Sequence, residues 1–213
     1  MAFLRPSPSI DTDGDIRGPR VHLRYASMQD YAAWAELRAL SRQHLTPWEP
    51  QWARDELNRS SFRRRLRQAQ REVRDDMGYA YLIFSETPAR LVGGLNISNV
   101  RRGVAQTASV GYWIGAPFAG RGYMTEAVRA AAQFAFASLR LNRLEAACLP
   151  TNAASARVLM NAGVTREGRA RQYLKIDGRW QDHDLYALLH DDPRPDPRQH
   201  LQPESRSEPA RAR

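Results

Sequence analysis

SVGYWIGAPFAGRGYMTEAVRAAAQFAFA, residues 109–137, changes period halfway along. Val110, Tyr112 and Ile114 put β-branched and aromatic side chains at every second position, as a strand does, whereas Met124, Val128, Ala131 and Ala135 recur at helical spacing. The switch falls at Gly120-Arg121-Gly122. Two glycines in such a turn let successive amide N–H groups point the same way, and the helix that follows adds about half a positive charge at its N-terminus. The turn therefore suits a phosphate. Two better-known phosphate motifs do not match. Gly115 to Gly120 has P-loop spacing, but Arg121 and Gly122 stand where Lys and a Ser or Thr are needed. In a dinucleotide-binding fingerprint the third glycine would fall on Thr125.

The chain of 213 residues is long enough for one substantial core with tails, and 42% hydrophobic residues with 5 Trp indicate a globular domain. No run of apolar residues is long enough for a membrane span, and MAFLRPSPSIDTDGD at the N-terminus lacks the apolar centre of a signal peptide, so a cytoplasmic protein is expected. Cys148 is the one cysteine, which rules out an internal disulfide, and the 5 His show no ligand spacing, so no metal is expected. The formal net charge is +9, and Lys175 is the only lysine. The positive charge is thus carried by arginine, which makes bidentate contacts with phosphate or carboxylate.

Residues 1–18 and 191–213 are rich in Pro and charge without an apolar period and are expected to be disordered, which leaves one domain over residues 19–190. Val21 to Tyr25 alternates as a first strand. Ser27 to Asp30 reads as a cap for a helix carrying Trp34, Leu37 and Leu40 on one face. His44-Leu45-Thr46-Pro47-Trp48-Glu49-Pro50 follows, a loop whose prolines hold Trp48 and Glu49 as rigid contacts. Asp55 to Asp76 is helical and basic, with Arg63, Arg67, Arg71 and Arg74 on one face, either as a solvated face or as a stripe for phosphates of rRNA. Strands are expected at Tyr79 to Phe84, Leu91 to Asn99 and Thr107 to Ile114, in an antiparallel meander. After the glycine turn and its helix come a strand (Arg143 to Leu149), a helix (Ala153 to Asn161) and a hairpin of Val164 to Leu174 with Trp180 to Leu189.

The turn resembles the acetyl-CoA motif of the GNAT acetyltransferases, Gln/Arg-x-x-Gly-x-Gly/Ala, with Gly120 and Gly122 in the glycine positions and Pro117 departing at the first. Three further blocks resemble the RimJ and RimL type of ribosomal-protein N-terminal acetyltransferase, RimJ more closely: Leu45-x-Pro47-Trp48-Glu49-Pro50, Leu95-Asn96-Ile97-Ser98-Asn99-Val100-x-Arg102-Gly103, and Tyr173-Leu174-x-Ile176-Asp177-Gly178-x-Trp180-x-Asp182-His183. The resemblance covers roughly residues 20–189. It implies a mixed α/β fold: a mostly antiparallel seven-stranded sheet that splays between its fourth and fifth strands, flanked by helices. It also implies acetyl-CoA as cosubstrate.

On that resemblance, Phe118, Ala119, Gly120, Arg121, Gly122, Tyr123, Met124 and Thr125 would cradle the pyrophosphate, and Ile114, on a bulged strand, would face the thioester carbonyl. Asn152 would hold the pantetheine arm or cap its helix, and Ser155 would protonate the departing thiolate. Glu167 is the first candidate base and Glu49 the second, with a structural ion pair as the alternative for each. Trp48, Glu49, Asn96, Tyr173 and Asp182 would line the acceptor channel, packing or hairpin bonding being the alternative for the last three. The implied acceptor is the N-terminus of an alanine-initiated ribosomal protein. Alternatives are a small amine or antibiotic as acceptor, or an rRNA-binding assembly module built on the arginine helix.

Overall fold

The structure, a computed structural model, describes residues 14–194, so the expected disordered segments fall largely outside it. Where they overlap, the N-terminal boundary moves. Ile16–Arg17 (β1) pairs antiparallel with Val21–Tyr25 (β2), and Ile16 is buried in the main core. An isolated Ile among charged residues has no period to read. The edge of the sheet makes those two residues a strand, and the sheet has eight strands where seven were expected.

Ser27 caps a short turn whose Asp30 carboxylate accepts the Ser27 amide at 2.7 Å, and the chain continues into Tyr31–Leu40 (α1). This helix buries Trp34, Leu37 and Arg38 and leaves Leu40 exposed, against expectation. Steps of three lag a turn of 3.6 residues, so by Leu40 the row has rotated off the face that Arg38 occupies. Arg42–Leu45 (α2) and a single turn at Thr46–Trp48 follow. The basic helix begins later than expected, at Arg59–Arg74 (α3). Asp55 lies outside it and accepts from Ser61 Oγ at 2.7 Å.

Tyr79–Ser85 (β3), Arg90–Arg101 (β4) and Thr107–Ile114 (β5) form the meander. Then come Tyr123–Ala137 (α4), Arg143–Cys148 (β6), Ala153–Asn161 (α5), Thr165–Ile176 (β7) and Arg179–Leu189 (β8), the last two joined by an Asp177-Gly178 turn with positive φ at both residues. That pair of angles is what a two-residue hairpin needs. The sheet order is β1-β2-β3-β4-β5-β6-β8-β7. Only the β5–β6 neighbours are parallel.

One face packs Val21, Leu23, Ile83, Leu95, Val110 and Leu144 against Val128, Ala131 and Ala135 of α4, in the main core. On the other face Trp34 and Leu37 of α1 and Phe62 of α3 cover Leu82 and Leu91. With helices on both faces, the sheet opens where strands separate.

That separation lies between β5 and β6, the fourth and fifth of the expected strands. They pair only over Thr107, Ala108 and Ser109 against Arg143, Leu144 and Glu145. Beyond that, β5 stays paired with β4 as far as Ile114, and β6 stays with β8 as far as Cys148. Gly115 donates its amide to Val92 O at 2.8 Å. By the alternation of an antiparallel ladder, the polar backbone groups of Val110, Tyr112 and Ile114 then point away from β4 and into the gap. The bulge expected before the glycine turn is absent, because the register runs unbroken from Ser109 to Ile114 and shifts only between Ser98 and Arg101 of β4. Ile114 reaches the gap by ordinary alternation.

Gly93 is opposite Ile114, and a Cβ there would lie 2.3 Å from the Trp113 carbonyl oxygen. Backbone cannot yield as a flexible side chain can. Gly93→Ala is expected to cost about 1–3 kcal/mol, as overpacking does. Urea titration should show a lower midpoint at unchanged slope.

Candidate active site

Phosphate-binding capacity at the head of α4 comes from what the backbone leaves unpaired. Gly120 and Gly122 have φ of 74° and 82°, and Gly122 is the N-cap with no side-chain cap. Glu126 N to Gly122 O, at 3.1 Å, is the first bond of the helix. The amides of Gly120 to Thr125 therefore have no protein acceptor among the described residues. A Cβ on Gly120 would meet nothing within 4 Å, so its glycine is needed for its backbone angle and not for room. Arg20 braces the turn: its guanidinium donates to Arg121 O at 3.1 Å and to the Glu126 carboxylate, and its amide donates to Glu126 Oε2 at 3.0 Å.

The turn opens on a cavity of about 450 Å³ in the gap between β5 and β6. On the helical side it is lined by Tyr112, Ile114, Phe118, Ala119, Gly120, Gly122 to Thr125, Cys148, Asn152 and Ser155. Asn152 caps α5 by accepting Ser155 N at 3.0 Å, so the capping role is the one observed. Ser155 Oγ and the Tyr112 hydroxyl are 2.9 Å apart, in a hydrogen bond that either can donate. Burial pushes the Tyr112 phenol up, so it stays protonated and can donate a hydrogen bond to Ser155. Burial likewise raises the Cys148 thiol.

The opposite wall comes from the turn after α2 and from the β7–β8 hairpin. His44, Leu45, Trp48, Leu174, Ile176 and His183 line it. Glu49 O accepts Asp177 N at 3.0 Å, which ties the two pieces together. The Glu49 carboxylate also borders the cavity, and both of its oxygens accept hydrogen bonds. Arg38 Nη1 and Nη2 donate to Oε1 and Oε2 at 2.6 and 2.8 Å, and Trp52 Nε1 donates to Oε2 at 2.8 Å. Arg38 is only 6% exposed and lies 4.4 Å from the Trp52 ring centroid and 5.0 Å from that of Trp113. A carboxylate held this way is a wall and an anchor.

Other expected residues lie apart from this cluster. Glu167 is 43% exposed on the bulge of β7 and pairs with Arg143, whose guanidinium holds its carboxyl below the usual range. Arg143 belongs to the closed end of the wedge, where β5 and β6 still pair. Glu167 is thus a structural ion pair and not near the gap. Asn96 lines a separate groove of about 1120 Å³ beside α3. Asp182 accepts Gln172 N at 2.9 Å, a bond within the hairpin, and Tyr173 is exposed with its ring 5.7 Å from that of His183. The Arg121 carbonyl serves the brace, and its side chain is exposed. Arg63, Arg67, Arg71 and Arg74 share the solvent face of α3.

Four residues of consequence escaped the sequence reading: Arg20, Arg38, Tyr112 and His183. Tyr112 was visible as an alternating residue beside the turn. His183 stood in a quoted block without a role. Arg20 and Arg38 have partners distant along the chain or across a loop, which no local pattern shows.

Residues 20–165 match the family described as acetyltransferase (GNAT) domain. The probable N-acetyltransferase YjcK of Bacillus subtilis is 34% identical over 177 residues, which cover 83% of this chain and 98% of that protein. The [ribosomal protein uS5]-alanine N-acetyltransferase of Escherichia coli is 34% identical over 165 residues, 76% of this chain and 84% of its own. Among solved structures, Mycobacterium smegmatis RimJ in complex with CoA-disulfide superposes with a TM-score of 0.76 at 33% identity, covering 83% of this chain and 86% of that one.

Removing Arg38 alone would leave the Glu49 carboxylate with the Trp52 indole N–H and no cation bonded to it. Arg38→Met is expected to lower stability by about 3–5 kcal/mol, and Arg38→Met with Glu49→Gln to recover much of that loss. Chemical denaturation of the two variants checks both halves.

Proposed function

The chain belongs to the GNAT acetyltransferase family, and we propose that it moves an acetyl group from acetyl-CoA to the N-terminal α-amino group of a protein, with an alanine-initiated ribosomal protein as acceptor. The observation that carries the proposal is the run of free amides from Gly120 to Thr125 beside a gap edged by the backbone of Ile114. Bound acetyl-CoA would supply the acetyl group as a thioester, its diphosphate suited to those amides. Ile114 N–H faces the gap from a fixed strand, where it can stabilise negative charge on a carbonyl oxygen without reorganising. Ser155, backed by Tyr112, is placed to give the thiolate its proton.

An α-amino group titrates near 7.7–8.0 and a lysine near 10.4, so roughly a tenth of the former is free at pH 7 and almost none of the latter. The acceptor wall has no carboxylate spare to drive a lysine. Leu45, Trp48, Leu174 and Ile176 instead favour a short terminus with a small side chain. The arginines on α3 would add nonspecific attraction to rRNA when the acceptor sits on a ribosomal particle. Such work requires the cytoplasm, where ribosomal proteins are made.

Purified protein with acetyl-CoA and peptides beginning Ala, Ser or Met, or acetyl-blocked Ala with an internal Lys, is expected to gain the acetyl mass on the free Ala terminus. Transfer only to the internal Lys would overturn the acceptor assignment. Glu167→Gln is expected to leave kcat/KM within about threefold, as its place outside the gap requires; a loss of the 10²–10⁴-fold size that a general base supplies would return it to the mechanism.

A further inference from the structure

Glu167 lies outside the gap, and the Glu49 carboxylate is held by Arg38 and Trp52. We propose that His183 is the proton acceptor for the incoming amine, acting through its Nε2 atom from the acceptor side of the gap. The inference rests on the acetyl-transfer reading above and goes beyond it by assigning a residue that the sequence left without a role.

Four observations support it. His183 is 3% exposed and yet lines the cavity. Its Nδ1 lies 3.0 Å from Gln181 O, and a carbonyl can only accept, so Nδ1 carries the hydrogen and the neutral ring keeps its lone pair on Nε2. Nε2 has no hydrogen-bond partner among the described residues, and it is not among the buried polar atoms there that lack one, so it is not sealed from solvent. Finally, Tyr186 and Leu188 of β8 belong to the main core under α4. Alternation along the strand turns His183 to the opposite face, the one that carries α1.

The two halves of the reaction are thereby divided between the faces of the sheet. The amine nitrogen bonds to the thioester carbonyl carbon and the C–S bond breaks. The amine proton goes to His183 Nε2, directly or through one water, and the thiolate receives a proton from the Ser155 and Tyr112 hydroxyls. Solvent restores both groups. His44, Glu49, Tyr112, Tyr123, Cys148 and Arg157 are the other ionisable groups lining the cavity, and Tyr173 lies against the His183 ring. Of these, Glu49 is engaged by Arg38, burial pushes the Tyr112 phenol and the Cys148 thiol toward their neutral forms, and His44 is the one other imidazole.

The test uses the full chain and an Ala-initiated peptide. His183→Asn keeps an amide N–H at the Nδ1 position for Gln181 O and has no base; His183→Ala leaves room for added imidazole. Both are expected to lower kcat at pH 7 by about 10- to 100-fold, toward the low end of what general-base catalysis provides because part of the amine is already neutral. CoA affinity by calorimetry should stay within about threefold. The deficit should shrink toward pH 9, and imidazole should restore part of the His183→Ala rate. A folded His183→Asn protein with wild-type kcat and pH profile would overturn the assignment, as would a pH limb that disappears in His44→Asn and persists in His183→Asn. If His183→Ala does not fold, His183→Asn and its pH profile decide. Wild-type protein inactive on every N-terminal peptide would sink the acetyl-transfer reading itself, a result distinct from an active wild type with an unimpaired variant.

Discussion

Two adjacent strands that pair for three residues and then part set the terms for the rest of the molecule. Each strand keeps its other neighbour, β4 for β5 and β8 for β6, so neither loses its place when the ladder between them ends. The inner edges are left with polar backbone groups and no partner. Such a group sealed from water costs about 1–3 kcal/mol, so the gap is tolerable only if it is open to water or to a ligand. A parallel pair, which is joined through a crossover and not a tight turn, is the place in this sheet where the chain can open without breaking a hairpin. The crossover is α4, and its free N-terminal amides arrive at the same opening.

The two faces of the opening are built by different means. At the head of α4 the functional groups are main-chain amides, fixed by two left-handed glycines and by the Arg20 brace. Glu126 in the first turn of the helix would compete with an anionic ligand for the same positive field, but Arg20 binds its carboxylate and offsets the charge. On the far face the wall is a loop and a hairpin, segments that alone would be mobile. Arg38 immobilises the loop by holding Glu49 and stacking against two indoles, and Glu49 O pins the hairpin. A buried ion pair gives little net stability but strongly penalises alternative loop positions. Here it defines the shape of a wall.

Regular elements were legible because their periods were clean. The meander, the strand into the glycine turn, α4, α5 and the Asp177-Gly178 hairpin all lie where alternation and turn chemistry put them. Residues whose role depends on contacts distant in sequence were not. Leu40 continued an apolar row that rotates into solvent, while the arginine two positions earlier went inside. Glu167 matched a family pattern, but the bulge on β7 and Arg143 across the strands hold it away from the gap. Glu49 was rightly located on a constrained loop; what the loop does with its carboxylate depends on a partner eleven residues earlier. Sequence reading thus located the glycine turn, Asn152, Ser155 and Trp48 beside the gap, and missed Arg20, Arg38 and His183, whose neighbours are distant in sequence.

On the proposed reading, the choice of acceptor follows from how little free charge the far wall offers. A long ammonium side chain entering past Leu45, Trp48, Leu174 and Ile176 would shed its hydration with no free carboxylate to replace it, a cost that rises steeply as water is excluded. A chain terminus differs because its amine is partly neutral at physiological pH and can enter uncharged. A weak base suffices for such a group, and a stronger one would bring a charge that the apolar wall would have to desolvate in every cycle. The wall, the modest basicity of an imidazole and the acidity of an α-ammonium group are therefore mutually consistent, and replacing any one of them would demand compensating charge from the other two.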